Sequence, residues 1–129
     1  LRTALIGWIT ADPELAGRLN AVTEEVPSRT ALPWLAIATS ASIDWSNKSH
    51  QGREVRVALE LHCRGDAPDT AADLVTAIER RIATLPGAQP ADAPQFDIVT
   101  IGFIRARAEQ RAANTRAILV EYRFRLIAR

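Results

Sequence analysis

A chain of 129 residues with 16 basic and 15 acidic side chains has a formal net charge of +1, so no global field draws it to nucleic acid or an anionic membrane. That length fits a single domain, residues 1–129, able to bury about two thirds of its unfolded surface without disulfides or metal. One cysteine, Cys63, cannot make an internal bridge, and no run approaches the ~20 apolar residues of a membrane span.

The start, LRTALIGWIT, lacks a basic region followed by a long apolar core and a cleavage site, so the expectation is a soluble protein made in the cytoplasm. Leu1, Leu5, Trp8 and Ile9 recur at helical spacing, and Asp12-Pro13 then opens a short new turn with Asp12 as cap. Val22 to Val26 reads as a brief edge strand ended by Pro27 and Pro33.

The segment Pro33 to Arg64 is the most informative. From Glu54 to Arg64 the chain alternates, with Val55, Val57, Leu59, Leu61 and Cys63 on one side and Glu54, Arg56, Glu60, His62 and Arg64 on the other. That period belongs to a strand with one buried face. Trp34 to Ile43 is apolar and β-branched enough to be its partner, and Asp44 to Gly52 supplies the Asn, Ser and Gly of a long hairpin connection. Trp45 in that loop either folds back on its own sheet or anchors a partner.

A second helix follows. Asp69 or Thr70 caps it, Ala71, Leu74, Val75, Ile78, Ile82 and Leu85 form its apolar stripe, and Glu79, Arg80 and Arg81 face water. The link Pro86 to Pro94 is a surface loop. Two strands, Phe96 to Arg107 and Ala117 to Ala128, then form a second hairpin across the polar link Ala108 to Arg116. In the last strand Ile118, Val120, Tyr122, Phe124 and Leu126 share the core face. In the preceding one both parities are apolar. Either Gly102 marks a bulge that resets the alternation, or a second subunit covers the other face. These elements predict an α+β fold: an antiparallel sheet of four to five strands with two main helices on one face, in the order α-β-β-β-α-β-β.

Residues suited to chemistry are few. His62 and Cys63 lie on opposite strand faces and cannot converge, and His62 reads as a surface histidine. His50 sits in a polar loop near Asp44, Ser46 and Ser49 with no catalytic spacing. Without nucleotide-binding glycine patterns, paired cysteines or metal-spaced ligands, the chain reads as a non-enzyme with no catalytic residue, cofactor or metal. The local anomaly is charge: Arg105, Arg107, Arg111, Arg116, Arg123, Arg125 and Arg129 face only Glu109 and Glu121. Such a hairpin serves either phosphate or protein contact, or simply discourages edge-to-edge aggregation. A small nucleic-acid-binding module using this Arg-rich hairpin is the alternative function.

Ala11-Asp12-Pro13-Glu14-Leu15, Val26-Pro27, Leu32-Pro33-Trp34-Leu35, the loop Asp44-Trp45-Ser46-Asn47-Lys48, and Gly52-Arg53-Glu54 opening a strand that ends Leu61-His62-Cys63-Arg64 resemble the tail-completion or tail-terminator proteins of long-tailed phages and gene transfer agents. The resemblance spans nearly the whole chain. It implies a structural virion protein that forms a homo-oligomeric ring, a hexamer, on the head-proximal end of the tail tube, where it terminates tube polymerisation and joins the tail to the neck. The implied partners are further copies of the chain, the tail tube protein and the neck or stopper protein, with DNA only passing through the lumen. On that reading Asp44, Trp45, Lys48, Arg53, Arg107, Arg111 and Arg116 are expected at partner interfaces, with Trp45 as an anchor.

Overall fold

The computed structural model describes residues 1–66, 68–85 and 96–128. The link Pro86 to Pro94 and Arg129 lie outside the described residues. The elements in chain order are α1 (Arg2–Thr10), α2 (Pro13–Arg18), β1 (Val22–Thr23), β2 (Trp34–Asp44), β3 (Gly52–Arg64), α3 (Pro68–Ala83), β4 (Phe96–Arg111) and β5 (Thr115–Ala128). The expected α+β order is present, with the short turn after Asp12 formed as a separate six-residue helix.

Local chemistry accounts for the helix boundaries. Asp12 accepts a hydrogen bond from the Glu14 amide at 3.1 Å, and Pro13 occupies the first helical position of α2, where its missing N–H costs nothing. In α3 the helix begins at Pro68, which places Asp69 inside the first turn and not at the cap. A carboxylate there still favours the positive end of the helix dipole.

The sheet runs β1-β2-β3-β5-β4. All pairs are antiparallel except β1 and β2, which lie parallel over Val22–Thr23 and Leu35–Ala36. The short strand is fastened by Asn20, whose side-chain amide donates to the carbonyls of Ala31 and Leu32 at 3.0 and 2.9 Å. Its backbone N–H also donates to the Pro33 carbonyl at 2.8 Å.

One sheet face carries the core. Val55, Val57, Leu59, Leu61 and Cys63 of β3 and Ile118, Val120, Tyr122, Phe124 and Leu126 of β5 are all buried, as their alternation requires. Against them pack Leu5 and Ile9 of α1, Leu15 of α2, and Leu74, Ile78 and Ile82 of α3. Each such aliphatic side chain contributes roughly 1.5–3 kcal/mol of transfer free energy.

The mixed parity of β4 has a specific cause. Its register with β5 slips twice, between Ile98 and Thr100 and between Phe103 and Arg105. Val99 and Ile104 are therefore the extra residues, and Gly102, between them, stays in register opposite Arg123. The alternation is reset twice, so that Ile98, Ile101, Phe103 and Ala106 all align with core-face residues of β5. The hairpin link is shorter than its polarity suggests. β4 continues to Arg111 and β5 starts at Thr115, with Ala113 and Asn114 at positive φ turning the chain.

Candidate partner interface

The β2–β3 loop holds itself in shape. The Trp45 amide donates to the Gly52 carbonyl at 2.9 Å, and the Gly52 amide donates to the Ser46 hydroxyl oxygen at 3.0 Å. The Ser46 hydroxyl in turn donates to Asp44 Oδ1 at 2.6 Å. That hydroxyl is the main cause holding the Asp44 carboxyl below its ordinary value, with the Ser46 amide and Arg53 acting in the same direction. Asn47 Oδ1 accepts from the amides of Ser49 and His50 at 2.9 and 2.8 Å, so His50 belongs to an Asx-type turn. A Cβ on Gly52 would stand 2.5 Å from the Trp45 carbonyl oxygen, which reserves that position for glycine.

Trp45 folds back. It is half-buried, with the Arg125 guanidinium 5.2 Å from its ring centroid. Lys48 and Arg53 are exposed beside it, and the Arg53 guanidinium reaches the Ser42 hydroxyl at 3.5 Å.

The arginines of the β4–β5 hairpin face more carboxylates than the hairpin itself supplies. Arg123 and Arg125 lie 3.7 and 3.2 Å from Oε1 of Glu54, a β3 residue only 8% exposed. Arg105 pairs with Glu121 at 2.8 Å, Arg107 with Glu109 at 3.0 Å, and Arg111 with both Glu109 at 2.9 Å and Glu60 at 3.6 Å. The expectation that these arginines face only Glu109 and Glu121 is corrected by β3, which lies beside β5 and brings Glu54 and Glu60 into the same surface. Much of the cationic stripe is thus neutralised within the sheet.

His62 is not a simple surface histidine. Its ring stacks on Trp34 at 4.0 Å and 12°, its Nε2 lies 2.5 Å from Glu60 Oε1, and its side chain is only 14% exposed. Cys63 points to the opposite face, where burial pushes its thiol up, partly offset by Arg116. Its Sγ lies 3.7 Å from the Arg116 carbonyl oxygen. Among the described residues no cluster of metal-ligating side chains forms, and no helix is long and apolar enough to cross a membrane.

The seven residues expected at interfaces fall into two groups that do not meet. Gly52 lies opposite Ile127 at one end of the sheet, and Arg64 lies opposite Thr115 at the other. Asp44, Trp45, Lys48 and Arg53 cluster at the first end, while Arg107, Arg111 and Arg116 sit toward the second. At ~3.3 Å per residue the two ends stand about 40 Å apart.

The alternation of β3 places Glu54 and Glu60 on its polar face, but only the pairing of β3 with β5 brings them against the hairpin arginines, and only the β2–β3 register sets Trp34 on His62.

A family model described as tail completion protein gp17 matches residues 3–127. Among solved structures, a chain from the "Virion of native gene transfer agent (GTA) particle" superposes with a TM-score of 0.80 at 21% identity, covering 98% of this chain and 94% of that one. At that identity the likeness establishes a shared fold. Among curated proteins none matches.

Proposed function

The chain belongs to the tail completion protein gp17 family, and from that premise we propose that it forms a ring on the head-proximal end of a tail tube, stops tube polymerisation and joins the tail to the neck. Its role is structural and not catalytic. The whole chain acts as one tail-terminator-like unit, made in the bacterial cytoplasm and incorporated into the particle. Its partners are identical copies in a six-fold ring, the tube protein on one side and the neck or stopper protein on the other, with DNA passing through the lumen.

The observation that carries this reading is the separation of the two polar ends of the sheet. A terminator sits between two different assemblies and needs two axial surfaces. The self-stapled loop bearing Asp44, Trp45, Lys48 and Arg53 offers one. The end bearing Arg107, Arg111 and Arg116, organised by Glu109 and Glu60, offers the other. Trp45 anchors by the edge of its ring, since Arg125 lies over one face.

Deleting the gene and measuring tail lengths by electron microscopy tests the function. Overlong, variable and headless tubes are expected. Tails of normal length on complete particles would overturn the reading.

A further inference from the structure

Among the described residues this sheet has two open stretches of backbone edge. β4 is the terminal strand of the sheet, and along Thr100–Arg105 no outer strand covers it. At the opposite edge β1 covers only Leu35 and Ala36 of β2, which leaves Thr39 to Ile43 uncovered. Natural sheets blunt such edges with charge, proline or a covering element. Here the large exposed hydrophobics gather on the open segments. Of the five among the described residues, Val99, Phe103 and Ile104 lie on β4 and Ile43 lies on β2, with Val26 in the link after β1.

The two open segments match in level, direction and size. Reading the register across the sheet, Ser40 leads through Val57 and Tyr122 to Phe103, Ser42 through Val55 and Phe124 to Ile101, and Ile43 through Glu54 and Arg125 to Thr100. The uncovered part of β2 therefore stands level with the apolar part of β4. Three successive antiparallel pairings make β2 and β4 run in opposite directions, so a rotation that carries one copy onto the next brings them together as an antiparallel pair. Size also fits: Phe103, 55% exposed, is large, while Ser40 and Ser42 on the same sheet face are small and exposed. A groove of 360 Å³ lined by Glu79, Ala83, Val99, Ile101, Phe103 and Tyr122 runs beside that edge.

We propose that the Thr39–Ile43 edge of one copy pairs antiparallel with the Thr100–Arg105 edge of the next, with Phe103 seated on the neighbour's Ser40 and Ser42. The occupant is a second copy of this chain, because one foreign strand would satisfy one edge and leave the other open. A head-to-tail contact between two different surfaces is what closes a ring. The proposal rests on the ring reading and names the surface that builds it.

Ile43→Cys and Thr100→Cys, singly and together, complement the deletion strain, and purified particles are treated with a short bismaleimide. The double variant is expected to give a ladder of covalent oligomers that neither single variant gives. Cross-linking by Ile43→Cys alone would mean that like edges meet, and would overturn the proposal. No ladder from the double variant, on particles with tails of normal length, would overturn the edge pairing while leaving the terminator role standing. Absence of the chain from particles would overturn both.

Ser42→Pro provides a second test. Counting back in alternation from the inward-facing Trp45 amide, the Ser42 N–H points away from β3. Proline there removes a backbone donor to the neighbour and, within the chain, only the exposed 3.5 Å contact of Arg53 with the Ser42 hydroxyl. Loss of incorporation with an unchanged melting curve is expected, and full incorporation would count against the pairing.

Discussion

Trp8 and Arg81 hold each other from both directions. The indole Nε1 of Trp8 donates to the Arg81 carbonyl at 2.9 Å, Arg81 Nε donates to the Trp8 carbonyl at 2.8 Å, and the guanidinium lies 3.5 Å from the indole centroid. This clasp ties α1 to α3, the two longer helices of the core layer, by an arginine that the helical pattern assigns to solvent. A guanidinium serves here because it donates to a carbonyl while its plane covers a ring, which an ammonium cannot do.

Arg81→Ala is expected to destabilise the fold by about 1–3 kcal/mol, the combined size of a hydrogen bond and a cation–π contact. Arg81→Lys keeps the charge and loses most of the same amount. Denaturant unfolding of both variants checks this; a lysine variant as stable as the parent would show that charge alone suffices.

Glu54 offers a second test of the sheet. Its carboxylate is the shared counter-ion of Arg123 and Arg125, and Arg123 Nε is buried with no hydrogen-bond partner among the described residues. Removing the carboxylate leaves cationic groups over a partly desolvated surface, a larger loss than the ion pair itself confers. Glu54→Ala is expected to lose about 1–3 kcal/mol, discounted because both arginines are a third exposed. Adding Arg125→Ala should recover part of the loss in a double-mutant cycle.

The elements most legible in sequence are those whose pattern is local. The alternation of Val55, Val57, Leu59 and Leu61 and that of Ile118, Val120, Tyr122 and Phe124 identify both strands and their buried faces, as the structure has them. What depends on pairing between distant segments is not legible. The neutralisation of Arg123 and Arg125 needs β3 beside β5, and the stack of Trp34 on His62 needs the β2–β3 register. The double slip of β4 shows a further limit. Apolar residues on both parities signal an irregularity, but the extra residues are Val99 and Ile104 and not the conspicuous Gly102, because a bulge with ordinary backbone angles does not require glycine. Among the expected interface residues, sequence places both groups in loops or strand ends, and the opposition of the two ends emerges only from the sheet.

Gly52 is fixed by space. Its missing Cβ would meet the Trp45 carbonyl oxygen at 2.5 Å and the Leu126 carbonyl oxygen at 3.0 Å, both backbone atoms that move only with their strands. Gly52→Ala is expected to cost about 1–3 kcal/mol as the loop is pushed off β5. Hydrogen exchange should show faster exchange at the Trp45 and Ala128 amides, whose acceptors are the carbonyls of Gly52 and Gln51. An alanine variant with parental stability and exchange would refute the steric account.

Asp44 gives a pH-dependent signature at the same end of the sheet. The Ser46 hydroxyl, donating at 2.6 Å, stabilises the ionised carboxylate and lowers its folded-state value. A carboxyl whose value is depressed on folding contributes stability that is present above the unfolded value, about 3.9, and is lost as pH falls through the folded one. Loop order is therefore expected to persist from neutral pH down to about 4 and to loosen only below that. Carbon-detected NMR titration of the Asp44 carboxyl should show a midpoint below that of an ordinary aspartate, and Ser46→Ala should move it upward. A midpoint unmoved by Ser46→Ala would assign the depression to the Ser46 and Trp45 amides together with Arg53, and Arg53→Gln would then separate the arginine's share.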